Sequence, residues 1–128
     1  MFFDKTERYF LHEKMNLREG LEKINDTPEK TIFVIDDDNY LVGSLTDGDV
    51  RRILINNLNV NINREVKFFC KKNCVTFDQF DLNKAKYNQK YRIYPIVDES
   101  GKALGVLRNQ LVEIEISDKL VGINASAF

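Results

Sequence analysis

Thr46, Asp47 and Asp49 place one hydroxyl and two carboxylates within a four-residue stretch. An ionised carboxylate only accepts hydrogen bonds, so Asp49 suits a partner that presents two O–H donors. The same Thr-x-x-Asp spacing also has a purely structural use. It is a capping box in all but the length of the acid, worth roughly 1 kcal/mol to the helix that follows. Asp36, Asp37 and Asp38 form a second acidic group. In a calcium loop Asp36, Asp38 and Asp47 would hold the first, third and twelfth positions, but Leu41 stands where the sixth requires glycine. A receiver-type magnesium site is excluded too, because its acidic strand leads into a helix and this one leads into a return strand. The cluster reads as a solvated hairpin turn.

The other reactive side chains are few. Cys70 and Cys74 form a C-x3-C pair, too few ligands for a zinc site. They read as reduced, partly buried thiols of a cytoplasmic protein. His12 is the single histidine, which leaves little material for histidine acid–base catalysis. Arg51-Arg52 and Lys71-Lys72 read as solvated basic pairs. Lys and Arg total 19 against 20 Asp and Glu, and a net charge of -1 argues against a general nucleic-acid binder. At 43% hydrophobic the chain can bury a core. No apolar run reaches the roughly 18 residues of a membrane span. The first eight residues carry acids where a signal peptide needs a long apolar stretch, so a cytoplasmic location is expected.

The elements that must position these residues follow from period and punctuation. Asn16 and Glu19 resemble a capping box opening a helix over 16–25, with Leu17, Leu21 and Ile24 on one face. Asp26-Thr27-Pro28 stops it. Ile32–Ile35 reads as a buried strand and Tyr40–Leu45 as its return, making a hairpin. Thr46 caps the next helix, whose stripe is Val50, Ile53, Leu54 and Leu58. An Asn-rich connector follows, and the second half begins near Val66. There, Val75-Thr76-Phe77 is a short strand, 81–90 a polar helix, Ile93–Val97 a strand and Ala103–Leu107 its return. Val112–Ile116 alternates with period two and reads as a strand or linker. Phe68 and Phe69 are expected to fill the core or an interface. Phe2, Phe3, Tyr9 and Phe10 are expected to dock on the module or on a second copy.

The halves overlay. Gly43 and Gly105 stand 62 positions apart, as do Asp36 and Asp98, and the register holds through the whole hairpin. The chain is thus a tandem duplication of a helix–hairpin–helix unit too small to be stable alone. The expected class is mixed α/β (α+β), each repeat holding a small three-stranded sheet, with the two related by a pseudo-twofold axis. Residues 1–15 form an N-terminal arm with a first short strand, 16–62 the first repeat, 63–112 a degenerate second repeat and 113–128 a linker or tail.

These residues carry a family resemblance. A strand ending Val-Ile-Asp, an acidic turn, and Gly43-Ser44-Leu45-Thr46-Asp47-Gly48-Asp49 resemble a CBS domain, and the doubling resembles a CBS pair, or Bateman module. The run Leu45 to Arg52 further resembles CBS pairs attached to sugar-phosphate nucleotidyltransferases. The resemblance implies a regulatory module and not an enzyme. Its effector would be AMP, ADP, ATP or S-adenosylmethionine, held in a cleft between repeats, and no cofactor is required. It would control an attached or partner enzyme. Carried over by position, Thr46 would meet phosphate or ribose and Asp49 the ribose hydroxyls. Asp47 would join Asp49 on the ribose side, Lys30 and Thr31 would face the phosphates, and Arg51 or Arg52 would add charge near them. Thr76 with Cys74 and Val75, and Tyr91, would line the base and its rim. Of Arg51 and Arg52, helical geometry lets only one face the cleft. The first turn of the Thr46 helix would offer free N–H groups to an anion. In the second repeat Arg108 replaces the threonine and Leu111 the ribose aspartate, so that cleft is expected to have lost ribose recognition. A ligand-free homodimerisation module is the alternative.

Overall fold

The computed structural model describes residues 7–72, 74, 76–78, 92–108 and 111–114. The predicted helix over 81–90, the aromatic residues Phe2 and Phe3, and the tail beyond 114 lie outside them. The chain divides into two compact units, one from Arg8 to Cys74, the other carrying the described residues from Thr76 on.

The first unit opens with β1 (Phe10–His12), α1 (Leu17–Asp26), β2 (Thr31–Ile35), β3 (Leu41–Thr46) and α2 (Asp47–Asn56). Its sheet has the order β1-β2-β3, with β1 parallel and β3 antiparallel to the central strand. All of Ile32 to Ile35 is buried, as a strand covered on both faces requires. Both helices begin on full capping boxes. Asn16 Oδ1 accepts from the Glu19 N–H at 2.9 Å while Glu19 reaches back to the Asn16 N–H. α1 ends before Pro28, and Thr27 closes it by donating its hydroxyl to Ile24 O and accepting the Thr31 N–H, both at 3.0 Å. Leu17, Gly20 and Ile24 form the buried face of α1, and with Ile32, Val34, Leu45 and Val50 they build the core. Tyr9 and Phe10 are buried in this unit, so that part of the aromatic arm docks on its own module.

Two expectations for the region after β3 need correction. The α2 stripe is Val50 and Ile53, whereas Leu54 is exposed and Leu58 lies past the helix end, 87% exposed. Phe68 is also exposed, with the Arg64 guanidinium 4.0 Å from its ring centre. Phe69 packs against the core as expected.

The compact unit also runs further than the sequence repeat. The connector returns to the start of α1. Its Arg64 and Ile62 carbonyls accept the Leu17 and Arg18 N–H groups at 3.0 and 2.9 Å. These are orphan donors at a helix N-terminus, which must find partners outside the helix. A 3-10 turn at Val66–Phe68 then buries Val66 completely in the core. Lys71 exchanges both backbone hydrogen bonds with Ser44, at 2.7 and 2.9 Å, covering the open edge of β3. Residues 63–72 and Cys74 therefore finish the first unit physically.

The second unit holds β4 (Phe77–Asp78), β5 (Ile93–Val97), β6 (Ala103–Arg108) and β7 (Leu111–Ile114), in the order β4-β5-β6-β7. Its hairpin repeats the first down to single hydrogen bonds. Val34 faces Gly43 as Ile96 faces Gly105, and each ladder slips one step later, before Ile35 and Val97. Asp36 Oδ1 accepts from the N–H groups of Asp38 and Tyr40, both at 2.9 Å. Asp98 Oδ1 does the same for Ser100 and Lys102, at 2.9 and 3.0 Å. The left-handed residue of each turn is Asn39 or Gly101, types that tolerate positive φ. Desolvation pushes against ionised Asp98, but bonds from the Ser100 hydroxyl and the turn N–H groups outweigh it and hold the carboxyl below its ordinary value. The acidic turn is thus built by its first aspartate, and Asp37 and Asp38 stay exposed as expected.

Where the first unit starts α2, the second makes a strand, as the period-two pattern predicts. Arg108 faces Leu111 across the β6–β7 pair. The reason is local. Neither Arg108 nor Leu111 can supply the side-chain oxygens of a capping box, so nothing pays the cost of turning the chain into a helix there. The second sheet thereby has four strands rather than the expected three.

Candidate functional site

The β2–β3 register gathers the predicted residues of the first repeat at one end of its sheet. Thr31 stands opposite Thr46, and the Asp47 N–H donates to Lys30 O at 3.1 Å. Thr46 Oγ1 accepts the Asp49 N–H and Asp49 Oδ2 accepts the Thr46 N–H, both at 3.0 Å. Thr46, Asp49, Asp47, Lys30 and Thr31 are therefore neighbours. Their present partners are not all the expected ones.

Lys30 has left-handed backbone, with φ of 52°. Its ammonium donates to Asn25 O at 2.7 Å, at the C-terminal end of α1, where the helix dipole favours a cation. The Thr31 hydroxyl donates to Glu29 O at 3.0 Å. Beneath them Glu29 is buried and accepts from the Tyr9 hydroxyl at 2.6 Å. The N-terminus of α2 offers less to an anion than expected. The Asp47 and Asp49 N–H groups are taken, leaving that of Gly48.

Both arginines fold back along α2. Arg51 pairs with the exposed Asp47 at 2.7 Å, and Arg52 donates to Asp49 Oδ1 at 2.5 Å. Arg52, rather than Arg51, is the guanidinium at the Thr46–Asp49 pair. Its i,i+3 spacing from Asp49 is the sequence signal for this contact.

Thr76 is exposed, while Val75 and Tyr91 lie outside the described residues. Their assignment to the base rests on the resemblance alone. Cys70 is buried and Cys74 half-buried, and burial pushes the Cys74 thiol above its ordinary value, as an inert thiol requires. His12 serves structure. Its Nδ1 faces the Lys14 N–H at 3.1 Å, so the proton sits on Nε2, which donates to Asp37 at 2.6 Å. That bond, with Lys14 nearby, holds Asp37 below the ordinary carboxylate range. Among the described residues no group of three or more His, Cys, Asp or Glu side chains could hold a metal ion, and no helix is long and apolar enough to cross a membrane.

A helix, a parallel strand, an antiparallel hairpin and a Thr-Asp-capped helix, with the hairpin duplicated, define a mixed α/β module of the CBS type. Residues 5–56 match the family model of the CBS domain. The fold matches solved CBS structures. A CBS domain protein from Streptococcus pneumoniae TIGR4 superposes with a TM-score of 0.67 at 13% identity, over 79% of this chain and 69% of that one. CBSX2, solved in complex with AMP, gives 0.62 at 24% identity, over 78% and 80%. An uncharacterized protein of Helicobacter pylori strain J99 is 31% identical over 105 residues, which are 77% of this chain and 31% of that protein. The chain thus spans about a third of the length of the curated relatives it matches.

Proposed function

We propose that this chain is a regulatory CBS pair that binds an adenine nucleotide at the Thr46–Asp49 end of the first sheet and controls an attached or partner enzyme. The observation that carries this reading is the complete signature in the first repeat, with Asp49 fixed by the backbone yet 17% exposed at its side chain. A carboxylate so held is preorganised to take ribose hydroxyls. Thr46, Lys30 and Thr31 lie beside it, with Asp47 and Arg51 two residues to either side of it on α2. The AMP carried by CBSX2 supports an adenine nucleotide as the ligand class. The run Leu45 to Arg52 is what supports a sugar-phosphate nucleotidyltransferase as the controlled enzyme, and the comparisons add nothing to it. Calorimetry with AMP, ADP, ATP and S-adenosylmethionine tests the reading. At least one phosphorylated ligand is expected to bind, and no binding at millimolar concentration would sink it.

The second reading is a ligand-free homodimer. It is favoured by Leu54, Ile55 and Leu58, which stay exposed at the end of α2. In that case light scattering at high concentration shows a dimer, and Ile55→Glu shifts it to monomer. A wild-type monomer throughout removes this reading.

A further inference from the structure

We propose that Arg52 makes the Thr46–Asp49 site selective for nucleotides over nucleosides, an inference that rests on the nucleotide reading above. The guanidinium occupies Asp49 Oδ1 at 2.5 Å while the other carboxylate oxygen is spent on the Thr46 N–H. Arg52 is 69% exposed and Asp49 17%, so a solvated cation covers the open side of a half-sheltered acid. The guanidinium also lies over the first turn of α2. A Cβ on Gly48 would stand 3.6 and 3.8 Å from its two terminal nitrogens and 3.8 Å from Thr46 Oγ1. The helix dipole disfavours a cation there, so Asp49 is what keeps it in place.

A ribose that donates its hydroxyls to Asp49 must take Oδ1 from Arg52 or share it. A nucleoside gives the displaced guanidinium nothing in return. A nucleotide does, because its phosphate accepts the guanidinium's paired N–H donors in a matched fork. The Gly48 N–H, which no described group accepts, belongs to the same first turn and adds a donor. Arg52 thus acts as a stand-in for the ribose in the empty site and as a phosphate ligand in the filled one. Arg51 pairs with Asp47 instead, so it does not cover Asp49.

The test is calorimetry of the full chain with AMP and with adenosine, for wild type, Arg52→Gln and Arg52→Lys. Wild type is expected to prefer AMP by roughly tenfold or more. Arg52→Gln should bind AMP more weakly and adenosine several-fold more tightly, bringing the ratio within about threefold of unity. Arg52→Lys keeps the charge without the fork and should fall between them. The same AMP-to-adenosine ratio in wild type and Arg52→Gln overturns the role of Arg52 and leaves the nucleotide reading standing. Wild type that binds neither ligand overturns both.

Discussion

Gly43→Ala is expected to destabilise the Arg8–Cys74 unit by roughly 2–4 kcal/mol, combining overpacking with strain on two backbone hydrogen bonds. The glycine is needed for space. Its backbone has no positive φ, so its conformational freedom is not at issue. A Cβ there would stand 2.4 Å from the Lys71 carbonyl oxygen, 3.0 Å from its carbon and 3.0 Å from Cys70 Sγ. The sulfur could shift, but the carbonyl is tied down. Lys71 O accepts the Ser44 N–H and the Lys71 N–H donates to Ser44 O, so retreat costs both bonds and reopens the edge of β3. Thermal unfolding followed by circular dichroism should show Tm lowered by about 10 °C or more, given about 4–8 °C per kcal/mol for a unit of this size. Gly20→Ala is the contrast. Its Cβ would meet only side-chain atoms at 3.4 Å and beyond, in the middle of α1. Helix propensity then dominates, and stability should rise by about 0.5–1 kcal/mol. An unchanged Tm for Gly43→Ala would mean that the 70–71 segment does not lie against β3.

That contact also shows where reading the sequence stops. The hairpins were legible because both signals are local. β-branched runs mark the strands, and an aspartate beginning each turn nucleates it through its own carboxylate. The 62-residue offset then predicts equivalent partners, and the two ladders carry the same register slip. The failure of a helix after β6 was legible for the same reason, since Arg108 and Leu111 visibly lack the capping oxygens. The end of the first unit was not legible. Val66 and Cys70 lie past the repeat boundary, and nothing local tells that the chain returns to cap α1 and pair with Ser44. Those bonds join residues far apart in sequence, and an Asn-rich connector has no periodicity to signal them. Leu58 failed for a related reason. It keeps helical spacing from Val50, but the helix has ended two residues earlier, and helix ends depend on caps more than on stripes.

The site was legible as a set of positions and less so as a set of contacts. The motif put Thr46 and Asp49 together, and the capping box needs the same two side chains. Structural and functional uses therefore overlap in one carboxylate, which makes the choice of variant decisive. Asp49→Ala removes the cap and the ribose acceptor at once. Asp49→Asn separates them, because the amide oxygen can still accept the Thr46 N–H while the charge is lost. It is expected to cost at most about 1 kcal/mol of stability, the size of a cap contribution. AMP affinity should nevertheless fall roughly tenfold to a hundredfold, since a hydrogen bond to a charged group is worth about 1.5–3 kcal/mol and tenfold corresponds to 1.4. Freeing Arg52 offsets little of this, because an exposed ion pair contributes at most about 1 kcal/mol. Thr46→Ser keeps both hydroxyl and cap, and its affinity should stay within about threefold of wild type. Calorimetry read beside the melting curves decides the matter. Equal AMP binding by Asp49→Asn and wild type would leave Thr46-x-x-Asp49 as a helix cap alone, and would move the ligand, if one binds, away from this end of the sheet.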